Sequence, residues 1–181
     1  MYLQVSTRPA VRSRPIADPR GVRQSASAHE AGSMKYDDAS WHYGGDFPSN
    51  LPETAGGTHI AMFASWAVLN GMASDLHIED FADELSQLRR QEVTPGEWFF
   101  NVCDGKFTDE DLNSEGNRFA AHYYAGSDGL HTDPGSYHAD YDHEFFSSQT
   151  LYDVPDTWET QAVATRFVEA RLAEWRKVSR C

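Results

Sequence analysis

The sequence predicts a mainly α protein: a compact single helical domain of about five to six helices around a buried central helix, behind a disordered N-terminal leader. Three observations predict it. Helix-start signals at Thr94, Thr108 and Asp156 each precede an apolar stripe of helical period. Residues 58–70 carry apolar side chains around the whole helical circumference, the mark of a helix sealed inside a fold. No convincing run of alternating strand residues and no internal repeat occurs.

The elements follow in order. Residues 1–33 lack apolar periodicity, and Pro9, Pro15 and Pro19 interrupt any helix. They also lack the continuous apolar stretch of a secretory signal. Met34 is a plausible true start, so 1–33 is read as a disordered leader or an over-extended reading frame, and 34–181 as the domain. Asp37–Tyr43 can form one helical turn, stopped by Gly44 and Gly45, and Pro48 and Pro52 hold an extended connection. Thr58 is the expected N-cap of the central helix and Gly71 its stop.

Residues 77–92 read as a surface helix with Ile78, Phe81, Ala82, Leu85 and Leu88 on one stripe. Thr94-Pro95-Gly96-Glu97 forms a capping box, with Pro at the first helical position. The short helix it opens carries Trp98, Phe99 and Val102 and ends at Gly105. The next is expected to start at Thr108, with Leu112, Gly116, Phe119, Ala120 and Tyr123 as its stripe. Gly116 costs about 1 kcal/mol relative to Ala in a helix, so its expected use is the close approach of another helix. Tyr137, Tyr141 and Phe145 recur at helical spacing, and a C-terminal helix runs from Asp156 to about Lys177. On its apolar face sits Arg171, whose guanidinium needs a carboxylate or carbonyl partner.

Charge narrows the function classes. The net charge is −13, split between +3 for residues 1–33 and −16 for the remainder. Such a surface repels nucleic-acid phosphates and anionic membranes and attracts basic proteins. No apolar run approaches the roughly 18 residues of a membrane span. Two cysteines, Cys103 and Cys181, make no disulfide framework, which points to a reducing, cytoplasmic setting.

Four groups of residues invite chemistry. Asp104 and Glu115 match the ends of a calcium loop, but Lys106 and Asp109 stand where a ligand and the turn glycine belong, which rejects it. The stretch from His131 to Glu144 holds metal-ligand types, of which His138, Asp142 and His143 are the candidate metal set, without a recognised spacing. His42, Asp46 and His59 form a candidate polar site with acid/base potential. Asp109, Glu110, Asp111, Asp140, Asp142 and Glu144 are the dense carboxylates expected to meet a basic partner. Cys103 reads as a buried small apolar residue, no common phosphate or acyl-transfer motif occurs, and no cofactor is implied.

Three blocks carry a resemblance. Met34-Lys35-Tyr36-Asp37-Asp38-Ala39-Ser40-Trp41-His42-Tyr43-Gly44-Gly45-Asp46-Phe47-Pro48 resembles the opening of the DUF7832-type family of small bacterial proteins. Thr58 to Gly71 and Cys103 to Asn113 look like its second and third blocks, so the resemblance spans about residues 34–180. The family supplies no catalytic residues. Small acidic proteins of this kind near bacterial toxins suggest an immunity role by analogy alone. The resulting expectation is a non-enzymatic acidic binding protein, in which an acidic face masks a basic toxin domain. The alternatives are a small metal-dependent enzyme using the histidines, or a regulatory adaptor.

Overall fold

The computed structural model describes residues 33–44, 47–126, 134–148 and 150–179. Gly32–Cys181 forms one compact unit. The expectation for 1–33 therefore lies, Ser33 apart, outside the described residues. The fold is mainly helical, with one small two-stranded sheet.

That sheet is the first departure from the sequence reading. β1 (Lys35–Asp38) pairs antiparallel with β2 (Lys106–Thr108), placing Asp37 opposite Phe107 and Asp38 opposite Lys106. Strands of four and three residues are too short to display a period of two. The helical turn expected from Asp37 begins later, as a 3-10 turn at Ala39–His42 capped by the Asp38 carboxylate.

α1 (Thr58–Ala67) is the central helix, and every one of its residues is buried. Its N-cap is Gly57 rather than Thr58, because a 3-10 turn at Glu53–Gly57 feeds straight into it. Gly57 is required by packing: a Cβ there would lie 2.6 Å from the Phe100 ring. The helix loosens into a wide turn at Val68–Met72 and ends where Gly71 adopts φ +80°, as its sequence predicts.

The segment expected as one surface helix is split. A wide turn at Leu76–Asp80 is broken at Phe81 before α2 (Ala82–Arg89) begins. The break shifts the stripe, burying His77 and leaving Ile78 exposed. α3 (Pro95–Cys103) has the predicted capping box, Thr94 accepting from Glu97 N–H and Glu97 from Thr94 N–H. The Asp156 carboxylate reinforces it, accepting from Gly96 N–H at 2.8 Å and from the Thr94 hydroxyl. Asp156 therefore serves α3, and Thr157 caps the C-terminal helix instead.

Thr108 and Asp111 cap only a 3-10 turn, Asp109–Asp111, not a helix. Leu112 then runs extended to bridge Ala73, and α4 (Ser114–Phe119) starts behind the Asn113 cap and widens at Ala120–Tyr124. Gly116 lets this helix sit against the end of α1, where a Cβ would lie 2.9 Å from Met72 Cβ. α5 (Tyr137–Glu144) buries Tyr137 and Tyr141. α6 (Trp158–Val178) packs on α1 through Gln161, which accepts from Ser65 Oγ at 3.0 Å and donates to the Met62 carbonyl at 3.1 Å. Arg171 on α6 has the carboxylate its position demands: it donates to both oxygens of Asp140, at 2.6 and 2.7 Å.

Candidate functional site

β1 delivers Asp37 to the interior, with a side chain only 3% exposed, because Tyr36 and Phe107 anchor the small sheet against the core. The 3-10 turn that follows swings His42 back over it, and its Nε2 lies 3.0 Å from Asp37 Oδ1. The first turn of α1 presents His59, whose Nε2 is 3.7 Å from Asp37 Oδ2. The first turn of α5 adds His138, whose Nε2 is 3.8 Å from that same oxygen. Four separate segments thus aim three imidazoles at one carboxylate. The rings of His42 and His59 meet edge to face at 4.6 Å, and those of His59 and His138 at 5.4 Å.

Hydroxyl groups fix the arrangement. Tyr124 donates to Asp37 Oδ2 at 2.7 Å. Tyr152 lies 3.2 Å from His42 Nδ1, and Tyr137 donates to the His59 carbonyl at 2.7 Å. Burial alone would raise the Asp37 pKa, but hydrogen bonds from His42, His59 and Tyr124 outweigh it and hold the carboxyl well below the usual range. Asp37 is therefore an anion in a nearly sealed position. Tyr124 is pushed the other way, first by burial and then by Asp37, so it remains a proton donor. Access is one-sided: the His42 and His138 side chains are each 20% exposed, whereas His59 is 1% exposed.

A cavity of about 650 Å³ lies beside this cluster rather than on it. Thr58, Phe100, Asn101, Tyr152 and Asp156 are among its walls, and none of the three histidines is. Tyr152 joins the two, lining the cavity and placing its hydroxyl on His42.

The sequence-derived sites fare unevenly. The structure brings His42 and His59 together, while Asp46 lies outside the described residues. Asp37, the hub, and the tyrosines escape the sequence reading. His138 joins this cluster and not Asp142 and His143, which are exposed on α5, so the set His138, Asp142 and His143 does not converge. His131 and Asp133 lie outside the described residues. Among the acidic residues, Asp111 is buried, Asp140 is held by Arg171 and Tyr123, and Asp109 accepts from Ser33 and from Met34 N–H. Glu110, Asp142 and Glu144 are the exposed members.

Cys103 is not a plain apolar filler. It closes a second polar group with His77 and Asp111, in which His77 Nε2 lies 3.2 Å from Asp111 Oδ1. Burial, and then the Asp111 carboxylate, push the thiol well above its ordinary value of 9.0, so it is no thiolate nucleophile at neutral pH.

Among the described residues, no helix is long and apolar enough to cross a membrane. No curated protein and no solved structure matches the chain. A family description, Domain of unknown function (DUF7832), matches residues 35–154 and so takes in β1, α1, α5 and all four residues of the histidine–carboxylate cluster. With about two-thirds of its length matched, the chain belongs to the DUF7832 family.

Proposed function

We propose that this protein holds a divalent first-row metal at Asp37, His42 and His59, with His138 at the open rim, and is a small metal-dependent enzyme. The observation that carries the reading is the convergence of three Nε2 atoms on one buried carboxylate at 3.0, 3.7 and 3.8 Å. Two histidines and a carboxylate are the donors that zinc, iron and manganese take, and their donor atoms lie within 4.8 Å of one another, so small shifts would admit an ion.

The surroundings support it. On metal binding the His42 proton would move from Nε2 to Nδ1, where the Tyr152 oxygen 3.2 Å away can accept it, freeing the Nε2 lone pair for the ion. Tyr124 pins the carboxylate. The ring of Tyr141 stands 6.2 Å from that of His59, and its buried hydroxyl has no partner among the described residues. An ion held at a site sealed on the Asp37 and His59 side and more open at His42 and His138 would be reached by water from that open side, as catalytic metals are. His138 is placed to take a proton from such a water, and the cavity behind Tyr152 is the place for a substrate.

Titrating chelator-treated protein with Zn²⁺ and Mn²⁺ by calorimetry tests the reading. The parent should bind one more equivalent of metal than His42→Ala at micromolar affinity or tighter, His42 being a partly exposed position at the rim of the cluster. Binding unchanged in that variant, or none tighter than millimolar in the parent, overturns it.

The acidic exterior favours the second reading, a binding protein for a basic partner. Only Glu110, Asp142 and Glu144 of the six carboxylates stand exposed for such a role. A metal-free protein that captures a basic domain with salt-slowed association would support this reading in place of the first.

A further inference from the structure

We propose that Cys103 Sγ, His77 Nε2 and Asp111 Oδ1 form a second, thiolate-containing metal site, suited to zinc and separate from the histidine cluster. The three donor atoms lie within 4.8 Å of one another. They come from three segments: the wide turn Leu76–Asp80, the last residue of α3, and the 3-10 turn Asp109–Asp111. No sequence spacing announces the set, because the reversal at Asp104, in the left-handed conformation at φ +55°, is what folds Asp111 back beside Cys103.

The carboxylate is aimed. Asp111 Oδ2 is occupied by the Thr108 N–H at 2.7 Å and the Thr108 hydroxyl at 3.2 Å. Its Oδ1 is thereby turned toward His77 and the thiol. The Asp111 carbonyl accepts from Ser74 N–H at 3.2 Å, tying the turn to the segment that carries His77. His77 is 1% exposed, and its Nδ1 meets no partner among the described residues. A buried imidazole satisfied on one side only, against a carboxylate and a thiol, is unusual for purely structural packing. Sulfur, nitrogen and oxygen donors together favour zinc among the common divalent ions, and Cys103, the least buried of the three, marks the side from which it would enter.

The proton balance is simple. As the Sγ–metal bond forms, the S–H bond breaks and its proton goes to solvent. The His77 proton moves from Nε2 to Nδ1, freeing the Nε2 lone pair, and Asp111 is already an acceptor. Nothing is oxidised or reduced. Three protein donors leave a fourth position for water. The ion would clamp the turn before α2 to the end of α3, so its expected effect is to raise the melting temperature.

Cobalt(II) titration of the full chain separates this site from the histidine cluster, since only a thiolate gives a sulfur-to-cobalt charge-transfer band in the near ultraviolet. One equivalent of band should develop at micromolar cobalt, be displaced by zinc, persist in His42→Ala and vanish in Cys103→Ser. Zinc should also raise the melting temperature of the parent and of His42→Ala more than that of Cys103→Ser. The proposal falls if the parent shows no band, shows one only at millimolar cobalt, or if Cys103→Ser retains it. Loss of the first centre alone would leave the band untouched, so the two readings fail separately.

Discussion

Replacing Trp66 by Ala should cost about 3–5 kcal/mol, the range for emptying a large buried aromatic site. Trp66 is 1% exposed in the middle of α1, with Phe63 and Phe119 packed at ring distances of 5.9 and 5.8 Å. A buried indole removes about 150–250 Å² from water, worth about 4–6 kcal/mol at about 25 cal/mol per Å². One term opposes this. Trp66 Nε1 meets no acceptor among the described residues, so truncation relieves an orphan donor costing about 1–3 kcal/mol. The difference, about 1–5 kcal/mol, is raised toward the upper half of that span by the cavity left behind. Urea unfolding measures it: with a slope of about 2 kcal/mol per molar, the midpoint should fall by about 2 M at unchanged slope. Trp66→Phe is the control, since it deletes the orphan N–H while keeping most of the ring, and should cost clearly less. A loss below about 1 kcal/mol for the alanine variant would mean that α1 does not hold the centre of the fold.

Two further predictions concern packing and charge. Gly116→Ala should destabilise by up to about 2 kcal/mol in the same assay, because the overpacking cost of about 1–3 kcal/mol at least offsets the helix-propensity gain of about 1 kcal/mol. The new Cβ would stand 3.1 Å from the Met72 carbonyl oxygen, which cannot swing away while it accepts from Asn113 N–H at 2.8 Å, and a stabilised variant would refute this. Arg171→Met should flatten the acid limb of the stability curve. Burial raises the Asp140 pKa, but Arg171 and Tyr123 more than offset it and hold the carboxyl below 3.8. A depressed carboxylate adds stability above its unfolded pKa and loses it as pH falls through the folded one. Chemical unfolding at several pH values should therefore show the parent ahead of the variant at neutral pH and the gap closing below about pH 4. A gap that persists undiminished at low pH would show the pair contributes through packing alone.

What was legible in the sequence was local. The all-round apolar run of α1, the Thr94–Glu97 box and the tyrosine spacing of α5 are each decided within a few turns of chain, and each stands as read. The need of Arg171 for a carboxylate could also be argued, though not that Asp140 would supply it. The readings that failed depended on distant segments. Asp37 looked like part of a helical turn because its strand partner lies across the chain at Phe107. Thr108 looked like a helix start because nothing nearby reveals that Leu112 must run extended to meet Ala73. His138 was paired with Asp142, its neighbour one turn along, when the ring faces Asp37 from across the fold. A convergence built from β1, the turn after it, α1 and α5 leaves no spacing to read.

The same long-range logic ties α6 to the candidate site, although no residue of the cluster lies on it. The family match ends at residue 154, before α6 begins at Trp158, yet the core does not end there. Ala164, Val168 and Leu172 are buried, and the Gln161 amide completes hydrogen bonds on α1 at Met62 and Ser65, three and six residues after His59. On the other side, Arg171 grips Asp140, which lies two residues after His138 on α5, while Phe167 stacks near Tyr137 at 5.9 Å. α5 is only eight residues long and has little stability of its own, since isolated helices below about 12 residues are marginal in water. Its position is therefore held from outside: by Arg171 of α6 and Tyr123 on Asp140, and by the hydrogen bond from Tyr137 to the His59 carbonyl. The Arg171–Asp140 pair is partly exposed and worth little as stability. Its consequence is geometric: it fixes the rotation of α5 that keeps one imidazole on the carboxylate and the exposed charges of Asp142 and Glu144 on the outside.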